Sequence, residues 1–191
     1  MKITKRIGLI ALFTSLSWAA HAAKPATGFN YNYGQIDYFA GDFDGLGVTG
    51  SFEVNDKIFV RASYAGTTND EGGADVDYTQ LSVGAGYHMD IQNDTDAVFT
   101  ISIVNEEVEI PAILPGVSAD ETGIMLTAGV RHNLNPDVEL AGHIFYIDAL
   151  DSDVGIYGEG RYKFKDNMSA GLGFTASDYI DGLNLNFRFG F

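Results

Sequence analysis

Alternation of apolar with polar or small residues recurs in ten short segments between residue 28 and the C-terminal Phe191. The alternation is noisier in half of them than in the rest. Because successive side chains of a β-strand point to opposite faces, a period of two predicts strands. Helical periodicity is absent from this region. We therefore predict an all-β protein with ten strands, or eight if two noisier segments merge. The clear segments are 46–54, 80–87, 123–131, 168–175 and 183–191, and the noisier ones lie near 28–38, 58–66, 97–105, 138–147 and 154–164.

The two faces of these strands differ in a way that argues against a β-sandwich. One face carries bulky aliphatic and aromatic residues, and the other is rich in Gly, Ser, Thr and Asn with isolated charges. A sandwich packs its apolar face inward and turns its polar face to bulk water. Lipid outside and a narrow polar lumen inside account for both faces. We predict a transmembrane up-and-down antiparallel β-barrel over residues 23–191, with a soluble lipocalin-like barrel as the less favoured alternative.

The connections between the segments are of two kinds. Residues 55–57, 132–137 and 165–167 are compact turn sequences rich in Asn, Asp and Pro. Other connections are longer, such as residues 67–75 and 106–121. Short turns at one end and mostly longer loops at the other are typical of outer-membrane barrels, with the turns in the periplasm.

The N-terminus predicts export. A positively charged start precedes an apolar run at residues 7–18, and Ala20 and Ala22 have the small-x-small spacing of a signal peptidase site. We interpret residues 1–22 as a secretory signal peptide. The apolar run is shorter than the roughly 20 residues of a membrane-spanning helix, which argues against an uncleaved anchor.

Acidic and basic residues are distributed unequally between the two ends of the predicted barrel. The chain has 26 acidic and 11 basic residues and a net charge of −15. No lysine or arginine falls in the connections on the longer-loop side, so we predict a strongly anionic rim there and no nucleic-acid partner. Carboxylates at 41–45 and 148–153 are candidates for binding divalent cations that bridge to lipid headgroups. Neither stretch matches a full calcium loop, and we predict no resident metal or other cofactor.

Eight charged residues point into the predicted lumen by strand parity. We predict that they form ion pairs, because a charge that faces hydrocarbon is costly. Glu53 and Arg61 flank the turn at 55–57 closely enough to meet across the hairpin. The alternative role is a narrow, weakly anion-favouring constriction. The eight residues are Glu53, Arg61, Arg131, Glu139, Glu159, Arg161, Lys163 and Arg188.

The histidines give little support for catalysis. We interpret His88 and His132, near the short-turn end, as solvated or interfacial side chains. His143 lies mid-strand with inward parity, and a neighbouring strand carries Glu159. No serine or threonine is evidently placed with them as a nucleophile, so we predict that the protein is not an enzyme.

The stretch DVDYTQLSVGAGYHMD at residues 75–90 is similar to a barrel family once described as a quorum-sensing factor. The whole chain resembles the small Gram-negative outer-membrane barrels of the OmpX and OmpA-barrel type. This resemblance implies a C-terminal signal, polar-x-Gly-x-x-aromatic-x-aromatic, that the barrel-insertion machinery reads. The signal maps onto Asn184, Asn186, Phe189 and Phe191, with Asn186 where glycine is usual. The resemblance also implies contact with outer-membrane lipid and lipopolysaccharide, and it brings no catalytic residues.

Three roles are compatible with such a barrel. The first is a structural or interaction role at the cell envelope with an acidic extracellular rim. The second is a porin-like role as a narrow pore for ions or small solutes. The third is surface adhesion through the acidic loops, for which the apolar segment at 110–116 is the candidate contact.

Deletion of Phe191 is expected to impair insertion into the outer membrane more than folding in detergent, because it removes the terminal aromatic of the assembly signal. The measurement compares outer-membrane levels in cells with refolding yield in detergent. Normal outer-membrane levels of the shortened chain would contradict the prediction.

Overall fold

The computed structural model describes residues 28–69, 76–109, 118–178 and 180–191. The predicted signal peptide and the segment at 110–116 lie outside the described residues. Each strand pairs antiparallel with its neighbours along the chain, and β1 pairs with β10, so the sheet is a closed barrel. The ten-strand prediction is confirmed, and the eight-strand alternative is wrong. The strands are β1 Tyr33–Gly41, β2 Asp44–Asn55, β3 Ile58–Asn69, β4 Val76–Gln92, β5 Thr95–Glu109, β6 Ser118–Asn135, β7 Val138–Asp148, β8 Ser152–Lys165, β9 Met168–Ser177 and β10 Asp181–Gly190.

Four two-residue turns lie at one end of the barrel, which we call the turn end. Asn55 shows how the sequence makes such a turn, because its Oδ1 accepts hydrogen bonds of 3.0 Å from the backbone N–H groups of Lys57 and Ile58. Asn135 does the same at the turn after β6. The pairing register shifts by one residue beside each turn. Asparagine side chains therefore cap the backbone at two of the four turns, whereas the register shift is common to all four.

The opposite end, which we call the loop end, is less uniform than expected. The link between β1 and β2 is only residues 42–43. By contrast, the hairpin of β5 and β6 projects beyond its neighbour, since β7 pairs with β6 only from Ile124 onward. The six residues of β6 before that point extend roughly 20 Å at about 3.4 Å per residue. Within the described residues, no helix is long and apolar enough to cross a membrane.

The predicted alternation of faces is confirmed and is clearest on β10. Leu183 and Leu185 point outward and are 56% and 58% exposed, whereas Asn184 and Asn186 between them point inward and are buried. Gly173 and Gly171 of β9 lie opposite these two asparagines. A Cβ atom at either glycine would stand within 2.8 Å of an asparagine amide oxygen. The glycines therefore leave room for asparagine side chains in a narrow lumen.

The first strand differs from the prediction. The segment at 28–38 was expected to form a strand that closes the barrel near residues 29–33, but β1 begins at Tyr33 and pairs with β10 from Tyr33–Gly190 to Gly41–Gly182. Residues 29–32 leave the sheet. Phe29 and Tyr31 share the inward parity of Gln35, and burial of their rings inside the barrel replaces pairing to the sheet.

Substitution Ile101→Arg is expected to lower the free energy of unfolding by about 2–4 kcal/mol, because it places a charge near the middle of the outward apolar band of β5. Ile101 is 58% exposed there and pairs with outward Ala85 and Leu126. The measurement is reversible urea unfolding in phospholipid vesicles, with Ile101→Leu as the matched control. Equal stability of the two variants would show that this face does not meet hydrocarbon.

Candidate functional site

Residues 29–32 enter the barrel at the turn end, and we call this segment the plug. Phe29, Tyr31 and Asn32 are at most 2% exposed. Phe29 and Tyr31 form a buried cluster with Phe59 of β3, against which Val98 of β5 packs. The turn end of the lumen is thus filled by side chains of the plug and of the strands around it.

Tyr31 makes the most specific contacts of the plug. Its ring stacks on the ring of His88 with 4.0 Å between centroids, and on that of Phe59 with 4.8 Å. Its hydroxyl donates a 2.9 Å hydrogen bond to Asp96 Oδ2. Burial raises the pKa of the Tyr31 phenol above its ordinary value of 10.0, and the neighbouring Asp96 carboxylate adds to that rise. Tyr31 therefore stays protonated and remains a donor to Asp96.

Asn32 ties the plug to the sheet. Its backbone carbonyl accepts a 3.1 Å hydrogen bond from the N–H of Phe191, the last residue of the chain. Its side-chain oxygen accepts from the Glu53 N–H at 2.9 Å, and its amide nitrogen donates to Glu53 Oε2 at 3.3 Å. Asn32 and Phe191 are therefore held at the same place on the barrel wall.

Arg131 covers the plug from β6. Its guanidinium carbon lies 4.9 Å from the centroid of the Phe29 ring and 4.7 Å from that of Tyr31, which are cation–π distances. Its Nε donates a 2.8 Å hydrogen bond to Glu139 Oε1, and Lys163 Nζ stands 3.7 Å from the other oxygen of Glu139. Two cations thus share the buried Glu139 carboxylate beside the plug.

A second charged group lies on the wall formed by β1, β8 and β10. Arg161 pairs with Glu159, which also accepts a 3.1 Å hydrogen bond from Asn186. Gln35 Oε1 accepts from Arg161 at 3.1 Å and from Arg188 Nε at 2.8 Å. These bonds join three strands across the closure of the barrel, and the Arg188 guanidinium additionally lies 3.9 Å from the centroid of the Tyr33 ring.

The structure does not bring Glu53 and Arg61 together in the way the sequence suggested. No ion pair joins them among the described residues, because Glu53 turns toward Asn32 and toward His88, whose Nε2 is 3.7 Å from Glu53 Oε1. Arg61 lies opposite Ser51, farther from the turn, and its buried Nε makes no hydrogen bond to any residue that the structure describes. Arg61 instead lines a cavity in the lumen.

Sequence reasoning missed the role of His88 and of Asp96. His88 is 3% exposed, so its interpretation as a solvated or interfacial side chain is wrong. Its burial follows from the plug, because the Tyr31 ring covers one face of the imidazole. The sequence did show that His88 and Asp96 have inward parity beside a turn. It did not show that Tyr31 would cover them, because the strand pattern carries no information about contacts of the plug.

A cavity of about 590 Å³ lies in the lumen and reaches from the plug to the loop end. Near its base it is lined by polar groups, including Arg61, Arg188 and His143. Toward the loop end its wall is mixed. Met125 and Phe145 pack there beside a buried cluster that contains Ile147, and Glu106 and Asp153 also line the cavity. The lumen above the plug therefore has room for water or a small solute.

His143, the first candidate for a catalytic base, stacks on Tyr157 with 4.8 Å between ring centroids. Tyr157 donates a 2.5 Å hydrogen bond to Glu159, whose oxygens also receive Arg161 and Asn186. Among the described residues, no hydrogen bond joins His143 to a carboxylate. Absence of enzymatic activity stays a prediction.

Carboxylates of the loop end accept hydrogen bonds from adjacent loops and, at Asp148, from their own loop. Asp42 accepts a 2.9 Å hydrogen bond from the Asp181 N–H, and Asp153 accepts one of 3.1 Å from the Asp178 N–H. Asp148 accepts from the Ser152 hydroxyl at 2.9 Å. Divalent cations at 41–45 and 148–153 stay a prediction.

Substitution Glu139→Ala is expected to lower the free energy of unfolding by about 3–5 kcal/mol, because it leaves the buried Arg131 guanidinium without its carboxylate. Asp166→Ala, at an exposed turn, is the control and should be neutral. The measurement is denaturant unfolding in detergent micelles. A loss equal to that of the control would show that the pair contributes no stability.

Comparison with known proteins agrees with this architecture. The KdgM porin has a TM-score of 0.50 to this chain at 9% identity, over 83% of this chain and 99% of the porin. Ail, the attachment invasion locus protein of Yersinia pestis, has a TM-score of 0.48 at 17% identity, over 83% of this chain and 99% of Ail. At such identities the likeness to the porin shows the fold alone. The comparison with curated proteins found no match.

A family model described as the outer membrane protein beta-barrel domain matches residues 8–175, which is most of the chain. The match agrees with the closed antiparallel barrel and its outward apolar face. The chain therefore belongs to the outer membrane protein β-barrel domain family and is a protein of the outer membrane.

Proposed function

We propose that this protein has a structural or interaction role at the cell envelope, as a barrel closed on its periplasmic side that presents an acidic rim to the outside. The observation that carries the proposal is the plug, whose aromatic side chains fill the turn end of the lumen. Turns of outer-membrane barrels face the periplasm and their longer loops face outward. The same rule orients the acidic loop end toward the cell surface.

The contacts of the plug support a barrel that is closed at rest. Withdrawal of Phe29 and Tyr31 would expose two fully buried rings, at about 1.5–3 kcal/mol for each. It would also break the hydrogen bond from Tyr31 to Asp96 and remove two rings from the Arg131 guanidinium. Because withdrawal of the plug would lose these contacts, the equilibrium between the inserted and the withdrawn plug favours the inserted state.

The acidic loop end supports contacts at the outer surface. It carries no lysine or arginine, so it repels anions and attracts cations over roughly a Debye length of 8 Å at physiological salt. Divalent cations held there would bridge the carboxylates to anionic lipopolysaccharide. Outer-membrane lipid and the barrel-insertion machinery, which would read Asn184, Phe189 and Phe191, are the other partners in this proposal.

Adhesion is a special case of the interaction role. The projecting β5–β6 hairpin carries Glu107, Asp120 and Glu121 at its surface, so a partner would meet it first and would need basic groups. The apolar segment at 110–116 joins these two strands and is the further candidate contact.

A narrow pore is the second candidate, favoured by the cavity of about 590 Å³ above the plug. In that role the plug would have to move aside for a solute to pass. Arg61 and Arg188 at the base of the cavity would favour anions in the opened state.

Conductance in planar lipid bilayers separates the two candidates. The unaltered barrel is expected to give no steady single-channel current, and the double variant Phe29→Ala/Tyr31→Ala is expected to conduct, because it empties the turn end of the lumen. The matched control is Tyr87→Ala/Phe99→Ala, which removes two outward aromatic rings and should stay closed. Steady current through the unaltered protein would overturn the closed barrel and favour the pore.

A further inference from the structure

We propose that His88, Asp90 and Asp96 bind a divalent transition-metal ion at the turn end, with Zn²⁺ as the best match. One ligand atom from each residue lies within 4.8 Å of the other two. All three ligands of the site belong to the β4–β5 hairpin of the barrel wall.

The hairpin itself assembles the three side chains. Asp90 of β4 and Asp96 of β5 are direct partners in the register, on either side of the turn at residues 93–94. His88 precedes Asp90 by two residues and shares its face of the strand. Ligands of a tetrahedral Zn²⁺ with bonds of about 2.0–2.2 Å stand roughly 3.4 Å apart, so a small rotation of the exposed Asp90 side chain completes the geometry.

The buried imidazole supplies an independent observation. His88 is 3% exposed, yet neither of its ring nitrogens makes a hydrogen bond within the described part of the chain. Its Nδ1 faces the cluster, 3.2 Å from Asp96 Oδ2, without the alignment of a hydrogen bond. A buried polar side chain without hydrogen bonds calls for an explanation, and a metal ion on Nδ1 provides one.

Glu53 extends the arrangement to a second layer. Its Oε1 lies 3.7 Å from His88 Nε2, on the side of the ring opposite the proposed ion. A histidine that ligates a metal ordinarily directs its other ring N–H toward a carboxylate or carbonyl, which fixes the ring orientation. Here Glu53 would face one ring nitrogen of His88 while the metal ion binds the other, which reproduces that pattern.

Charge also favours a cation here. Like charges directly opposite each other on a two-stranded ribbon are destabilising, and Asp90 faces Asp96. A divalent ion between Asp90 and Asp96 would remove their repulsion.

The donor set selects the class of metal. One imidazole nitrogen and two carboxylate oxygens suit Zn²⁺, whereas Ca²⁺ and Mg²⁺ prefer sites made of oxygen ligands only. Water would fill the fourth position, and the ion would enter beside the exposed Asp90. Because Asp96 also accepts the Tyr31 hydroxyl, a bound ion would hold the anchor of the plug in place.

The test is calorimetric titration of ZnCl₂ into the refolded, metal-free mature barrel in detergent, with metal content measured after dialysis. The expected result is one Zn²⁺ per chain, with affinity at least tenfold lower for Asp90→Asn and for His88→Gln. Asp90→Asn is the decisive variant, because an exposed side chain is changed and folding is preserved. CaCl₂ should not compete at equal concentration.

His132→Gln is the matched control, since His132 lies at the same end but its Nδ1 is bonded to the Thr95 hydroxyl. Zn²⁺ binding that is absent, or equal in Asp90→Asn and the unaltered chain, would overturn the proposal. His88 would then be held between the carboxylates of Glu53 and Asp96 without a metal ion. Either result leaves the conductance measurement unaffected, so failure of the metal site and failure of the closed barrel are distinguishable.

Discussion

Closure of the sheet by β1 against β10 is the constraint on which the rest of the structure depends. Hydrocarbon offers no hydrogen-bond partners, so the backbone N–H and C=O groups of every strand must pair with another strand. The pairing from Tyr33–Gly190 to Gly41–Gly182 removes the two edges that ten strands would otherwise leave. It also fixes the diameter of the lumen, and hence how many inward side chains the barrel can hold.

A narrow lumen lined with charged groups accounts for the packing inside. Glu139 and Glu159 are buried, and each is bonded to at least one cation. Gln35 connects Arg161 to Arg188 across the same strands that close the barrel. The hydrogen-bond network inside the barrel thus supports the pairing of β1 with β10, because Gln35 of β1 and Arg188 of β10 belong to both.

The plug links this architecture to function. Tyr31 contacts the wall on several sides, through His88, Phe59, Asp96 and the guanidinium of Arg131. The segment therefore acts as a part of the core, although it belongs to no strand. The same contacts bury His88 beside two carboxylates, which is why the candidate metal site and the closed end of the lumen lie side by side.

The amino-acid sequence by itself determined the fold class and the inward parity of the charged residues, because a period of two is a local property of the chain. It favoured ten strands but left eight open, and only the closed sheet decided between them. It also located the C-terminal strand and three of the four two-residue turns, where asparagine and proline act on their immediate neighbours. Only the tertiary structure decided which charges meet: Arg131 reaches Glu139, whereas Glu53 turns away from Arg61 to His88 and Asn32. The plug could not be predicted, because residues 29–32 continue the alternation of β1, and whether they pair with the sheet or fill the lumen depends on the space that ten closed strands enclose.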